Sequence, residues 1–126
     1  MRRAIPNLHR LLAESPATLE TYGTAFAAFE ASSFTPIERQ LVHLAASVGN
    51  ACEYRTVAHD RLARAAGLDA ASVAAVRAGE SIDGSRLEAL RRFTSAIVTR
   101  RGRVTGDEPA VARGGAVGRV SPAAPP

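Results

Sequence analysis

Across the first hundred residues apolar side chains recur at spacings of three and four, and no segment alternates apolar and polar residues for long enough to make a strand. That periodicity constrains the chain to an all-α fold of short helices. Leu8, Leu11 and Leu12 mark a first helix, ended at Ser15 and Pro16. Leu19, Tyr22, Phe26 and Phe29 mark a second with an apolar stripe, slightly weakened by Gly23. The third has the clearest start: Thr35 can cap it, Pro36 suits the first helical position, and Glu38 sits where a capping box places its carboxylate. Its core stripe is Ile37, Leu41, Leu44, Ala45 and Val48, and Gly49-Asn50 is the expected stop. A fourth helix starts near Cys52 and runs to Ala66, closed by Gly67. Asp69 can cap a short fifth helix carrying Val73 and Val76 and ended by Gly79. The spacing of Ser85 and Glu88 predicts a second capping box, opening a sixth helix with Leu87, Leu90, Phe93, Ile97 and Val98.

The character changes after about Arg100. Half of the ten glycines and four of the seven prolines lie in residues 101–126, which contain no aromatic side chain. This composition predicts one helical domain over residues 1–105 and a disordered tail over 106–126. The chain is 126 residues long and 46% apolar, enough for one domain with a hydrophobic core. Its net charge of +4 is distributed unevenly: residues 1–99 carry eleven Arg against ten acids, and the remaining +3 comes from residues 100–126. All 16 basic residues are Arg and Ala is abundant, which reads as a coding bias and argues against a nucleic-acid role. No apolar run approaches the roughly 18 residues of a membrane span, and the basic start leads into Pro6 and Asn7, so the sequence predicts a soluble chain without a cleaved signal. Cys52 is the only cysteine, which excludes an intrachain disulfide and a cysteine-only metal site and fits a reducing cytoplasm.

Chemistry concentrates on the fourth helix. Cys52, Arg55 and His59 stand at i, i+3 and i+7 and share one face. At about 1.5 Å per residue Cys52 and His59 lie roughly 10 Å apart, which excludes a direct Cys–His pair. A helix start and a neighbouring guanidinium both favour thiolate over thiol at Cys52; the alternative is a small core residue. His59 can equally be a hydrogen-bonded structural histidine. Gln40, His43 and Ser47 form a column on the third helix that either faces Cys52 and His59 or makes a polar solvent face. Tyr54 suits core or interface, and Arg61, Arg64, Arg91 and Arg92 are expected on solvated faces.

Phe34-x-Pro36-x-Glu38-Arg39, Asn50-x-Cys52-x-Tyr54, Ala58-His59 and Gly67-Leu68 closely resemble the carboxymuconolactone decarboxylase and alkyl hydroperoxidase D family, and the likeness extends over residues 5–105. The resemblance implies an all-helical homo-oligomer, trimer or hexamer. It also implies antioxidant hydroperoxide reduction by a C-x-x-C pair, a histidine four residues on and a glutamate on the preceding helix, with no cofactor and no metal. Cys52 matches the first cysteine and His59 the histidine. Arg55 stands in place of the second cysteine and Gln40 in place of the glutamate, so the two-cysteine cycle cannot run within one chain. The expectation is therefore impaired or one-cysteine peroxidase activity at Cys52, regenerated by an external thiol. The alternatives are a decarboxylase-branch enzyme that uses His59, with Arg55 holding a carboxylate, and a non-catalytic oligomerisation module or truncated remnant. The family usually continues with further helices beyond Thr105, so the sequence beyond Gly106 is read as a frameshift or truncation product.

Overall fold

The computed structural model describes residues 6–105. The tail expected over 106–126 lies outside them. Six α-helices and no strand occur among the described residues: α1 (Asn7–Leu12), α2 (Pro16–Glu30), α3 (Pro36–Gly49), α4 (Glu53–Ala66), α5 (Ala70–Ala78) and α6 (Ser85–Thr99). The all-α class and the helix order follow the apolar periodicity. Among the described residues no helix is long and apolar enough to cross a membrane.

Packing divides the chain into two compact units, Met1–Ser32 and Ser33–Pro126. In the first, Ser15 caps α2 by accepting from the Thr18 amide, with Pro16 at the first helical position. The His9 ring of α1 meets Tyr22 of α2 edge-on at 5.7 Å, and Tyr22 stacks on Phe26 at 6.2 Å. The expected stripe of α2 is present, but Leu19, Tyr22 and Phe29 are only half-buried and Phe26 is exposed.

In the second unit α3 is the central helix and packs against α4, α5 and α6. Its start is the expected capping box: the Glu38 amide donates to Thr35 Oγ1 at 3.2 Å and the Thr35 amide to Glu38 Oε2 at 2.9 Å. Leu41, Leu44 and Ala45 are buried with Ala63, Leu68, Val73, Val76, Ile82 and Leu90, while Ile37 and Val48 pack half-buried at the edge. Arg86 of α6 donates to the other oxygen of Glu38, so one buried carboxylate ties the start of α3 to the start of α6.

Two local expectations need correction. Gly84, at φ +89°, is the N-cap of α6 and Ser85 is its first helical residue, so no second capping box forms. Glu88 instead accepts the Ile82 amide at 3.0 Å and pairs in two-pronged fashion with Arg91 at 2.7 Å. Arg91 is accordingly half-buried, and Arg64, though exposed, pairs with Asp60 at 2.6 Å; neither is simply solvated. The α3–α4 turn follows the expected stop, with Asn50 as the C-cap of α3. Gly49 is the last residue of α3, where a Cβ would lie 2.9 Å from Val98 Cγ1 on α6. The residue that takes the left-handed conformation is Ala51, at φ +51°.

Candidate functional site

The α3–α4 turn determines where Cys52 stands. The Ala51 amide donates to Val48 O at 2.9 Å and the Cys52 amide to Ser47 O at 3.0 Å, the paired bonds of a Schellman turn. Such a turn needs one residue in left-handed geometry, and glycine is the usual choice; here Ala51 fills the position at a conformational cost. Cys52 is thereby delivered, in extended conformation, as the N-cap of α4, with its own carbonyl accepting the Thr56 amide at 2.9 Å. Its side chain makes no capping bond to the amides of α4. Cys52 is half-buried and reduced.

A cavity of about 100 Å³ opens between the end of α3 and the start of α4, lined by His43, Ala46, Ser47, Asn50, Cys52 and Arg55. Among the described residues no acidic side chain lines it. Among the described residues Arg55 forms no ion pair, although it is half-buried. The cavity therefore offers a thiol, a guanidinium, an imidazole and an amide, a set that suits an anionic or strongly polar oxygen ligand. Of the sequence-based candidates, Cys52 and Arg55 share this cavity and His59 does not line it, as their separation along α4 requires.

His59 lies behind the cavity. It is 6% exposed, its ring stacks on His43 at 4.5 Å and 9°, and its Nδ1 lies 3.1 Å from Gln40 Oε1. With the carbonyl oxygen of Gln40 as acceptor, Nδ1 carries the proton and Nε2 is the basic atom. Burial, then the neighbouring His43, then Arg55 push the His59 imidazolium pKa down from 6.5 to about 4, so the ring is neutral at pH 7. The Gln40, His43, Ser47 column thus faces α4 and not solvent: Ser47 is buried and donates to His43 O at 2.6 Å, while Gln40 and His43 are half-buried. Gln40, the residue in place of the glutamate, does meet His59.

His43 is the residue that sequence reasoning undervalued. It connects the cavity that holds Cys52 to the imidazole of His59, and its three-residue spacing from Gln40 on α3 was the available signal. Tyr54 is exposed, at 54%, so it belongs to no core. Among the described residues no group of acidic, histidine and cysteine side chains could hold a metal ion.

The model of the carboxymuconolactone decarboxylase family matches residues 14–96, well over half of the chain. No curated protein matches it.

Proposed function

The chain belongs to the carboxymuconolactone decarboxylase family, and on that premise we propose that it reduces hydroperoxides by a one-cysteine cycle at Cys52. The observation that carries this reading is the placement of Cys52 at the mouth of α4, in one cavity with Arg55 and His43. His43 is the side chain across the cavity that would accept the thiol proton.

The thiolate sulfur attacks the outer peroxide oxygen, the O–O bond breaks, and the departing alkoxide takes the proton held by His43. Cys52 is left as a sulfenic acid. An external thiol then forms a mixed disulfide with Cys52 and releases water, and a second thiol restores the Cys52 thiol and leaves as the oxidised disulfide. His59 orients His43 by stacking and is fixed in turn by Gln40. A proton on His43 disfavours one on the buried His59, so the stacked pair carries a single proton to deliver to the leaving group.

A second reading rests on the cavity that has an arginine and no acid. Arg55 would anchor a substrate carboxylate, with the imidazole pair supplying acid–base groups for decarboxylase-branch chemistry. Peroxide consumption with a thiol reductant, and turnover of a lactone acid, each measured on the full chain and on Cys52→Ser, separate the two. Loss of peroxide turnover in the variant supports the one-cysteine cycle; lactone turnover insensitive to the substitution supports the second reading. Absence of both activities from a demonstrably helical protein would leave a non-catalytic helical module.

A further inference from the structure

The cavity between α3 and α4 is unbalanced in charge. Arg55 lies on its wall, half-buried, and among the described residues it has no ion pair and shares the lining with no acidic side chain. Arg64, Arg77, Arg86 and Arg91, by contrast, each hold a carboxylate. The charge of Arg55 is felt inward: after burial and His43, it is the third influence that lowers the His59 pKa. A guanidinium presents a fork of N–H donors that matches a carboxylate in bidentate fashion, and a half-buried one without a counter-ion attracts such a group. Asn50, exposed at the rim, also lines the cavity and can add an amide N–H.

The place of that charge relative to the sulfur limits the ligand. Cys52 and Arg55 are about 4.5 Å apart along the helix axis and line the same cavity. A molecule held by its carboxylate at Arg55 therefore presents to Cys52 whatever group stands a few bonds further along its chain. At about 100 Å³ the cavity takes a group of a few heavy atoms and not a bulky one. Of the two co-substrates of the one-cysteine cycle, the hydroperoxide reacts as a neutral molecule, whereas the thiol reacts as its anion, the thiolate. An unneutralised guanidinium beside the sulfur favours the anionic one. Cys52 is the only cysteine of the chain, so each sulfur that completes the cycle comes from such a molecule.

We propose that Arg55 makes this cavity a carboxylate site, and that the external thiol which restores Cys52 is a small thiol carrying a carboxylate. For its chemical step this assignment rests on the one-cysteine cycle at Cys52. Arg55 holds the carboxylate while the thiolate sulfur attacks the sulfenic sulfur of Cys52. An S–S bond forms, the S–O bond breaks, and the hydroxide leaves as water with the proton that the thiol gave up. A second molecule of the same thiol attacks the outer sulfur of the mixed disulfide. The small disulfide departs, and Cys52 takes up the second thiol's proton.

Two arms test this on the full chain, and neither contains a hydroperoxide, so a failure here is distinct from a failure of the peroxidase cycle. In the first, Cys52 is alkylated by iodoacetate and by iodoacetamide, which differ in charge and hardly in size. The ratio of the two rates cancels any change in the nucleophilicity of the thiol. It should be at least roughly tenfold higher in the natural chain than in Arg55→Gln, with Arg55→Lys between them. In the second arm Cys52 is loaded as a mixed disulfide with pyridinethiol, whose release is followed with mercaptopropionate and with mercaptoethanol at equal thiolate concentration. Mercaptopropionate should be favoured by a similar factor, and Arg55→Gln should remove the preference. Equal alkylation ratios in the natural chain and Arg55→Gln overturn the site. A carboxylate preference in alkylation with none among the thiols overturns the assignment to the reductant. Circular dichroism of each variant, showing retained helix, keeps misfolding from imitating the predicted loss.

Discussion

The two ends of α4 make the same kind of turn with different materials. At its C-terminal end Gly67, at φ +107°, takes the left-handed position, the Leu68 amide donates to Ala63 O at 3.0 Å, and Asp60 is satisfied by Arg64 at 2.6 Å and Arg77 at 2.7 Å. At its N-terminal end Ala51 occupies the left-handed position, Arg55 has no ion pair among the described residues, and a neutral imidazole is buried behind the cavity. Both turns make the paired amide bonds, but the first uses a glycine and paired charges where the second uses an alanine and an arginine that has no ion pair among the described residues. The second is the end at which the proposed chemistry is placed.

The largest expected effect separates the two ends by pH. His59 is neutral when folded and has a pKa of about 4, whereas the unfolded chain binds its proton near 6.5. Between those values the unfolded state holds more protons, so stability is full above pH 6.5 and falls as pH drops toward 4, by on the order of 3 kcal/mol. Asp60 acts in a different window. The Arg64 guanidinium, assisted by Arg77 and opposed by burial, holds its carboxyl below the ordinary value of 3.8, so its contribution persists until pH falls below that value. Denaturant titrations at pH 7, 5.5 and 4 should show the first loss in the natural chain and its absence in His59→Gln. An unchanged slope in that variant would assign the titration elsewhere.

Next in size is the packing that sets the turn. Gly49→Ala pushes a methyl group to 2.9 Å from Val98 Cγ1 and should cost about 1–3 kcal/mol. The cost should shrink when Val98→Ala is added, a coupling read from a double-mutant cycle. At the other end Gly67→Ala should cost about 1–2 kcal/mol. There the cost is conformational, since its Cβ would meet nothing closer than Ile37 Cδ1 at 3.6 Å. Smallest is the reverse change, Ala51→Gly, which should stabilise the chain by about 0.5–1 kcal/mol in the same denaturant assay. A loss of stability there would mean that Ala51 is held by contacts beyond its backbone geometry.

The contrast also explains what could be read without coordinates. Thr35, Pro36 and Glu38 announced the start of α3, and Gly67 and Gly79 the ends of α4 and α5, because each solves its terminus with the residue type that local geometry favours. Gly49-Asn50 marked the end of α3 correctly, but Ala51 could not be read in that way, because nothing in an alanine advertises a positive φ. Ser85 and Glu88 had capping-box spacing, but the Ile82 amide and Arg91 compete for the same carboxylate and hold it. The site was half legible. Cys52 and Arg55 lie within one helix turn, so period alone brings them together, whereas the meeting of Gln40, His43 and His59 depends on the packing of α3 against α4. Period can say that such a column exists but not which way it turns.

Reaction of Cys52 with peroxide, in the cavity it shares with Arg55 and His43, can be followed as hydroperoxide consumption with excess dithiol in the full chain and in Cys52→Ser. Catalytic turnover is expected in the natural chain and none in the variant. Equal rates in the two proteins, or no oxidation of Cys52 by stoichiometric peroxide, would contradict it.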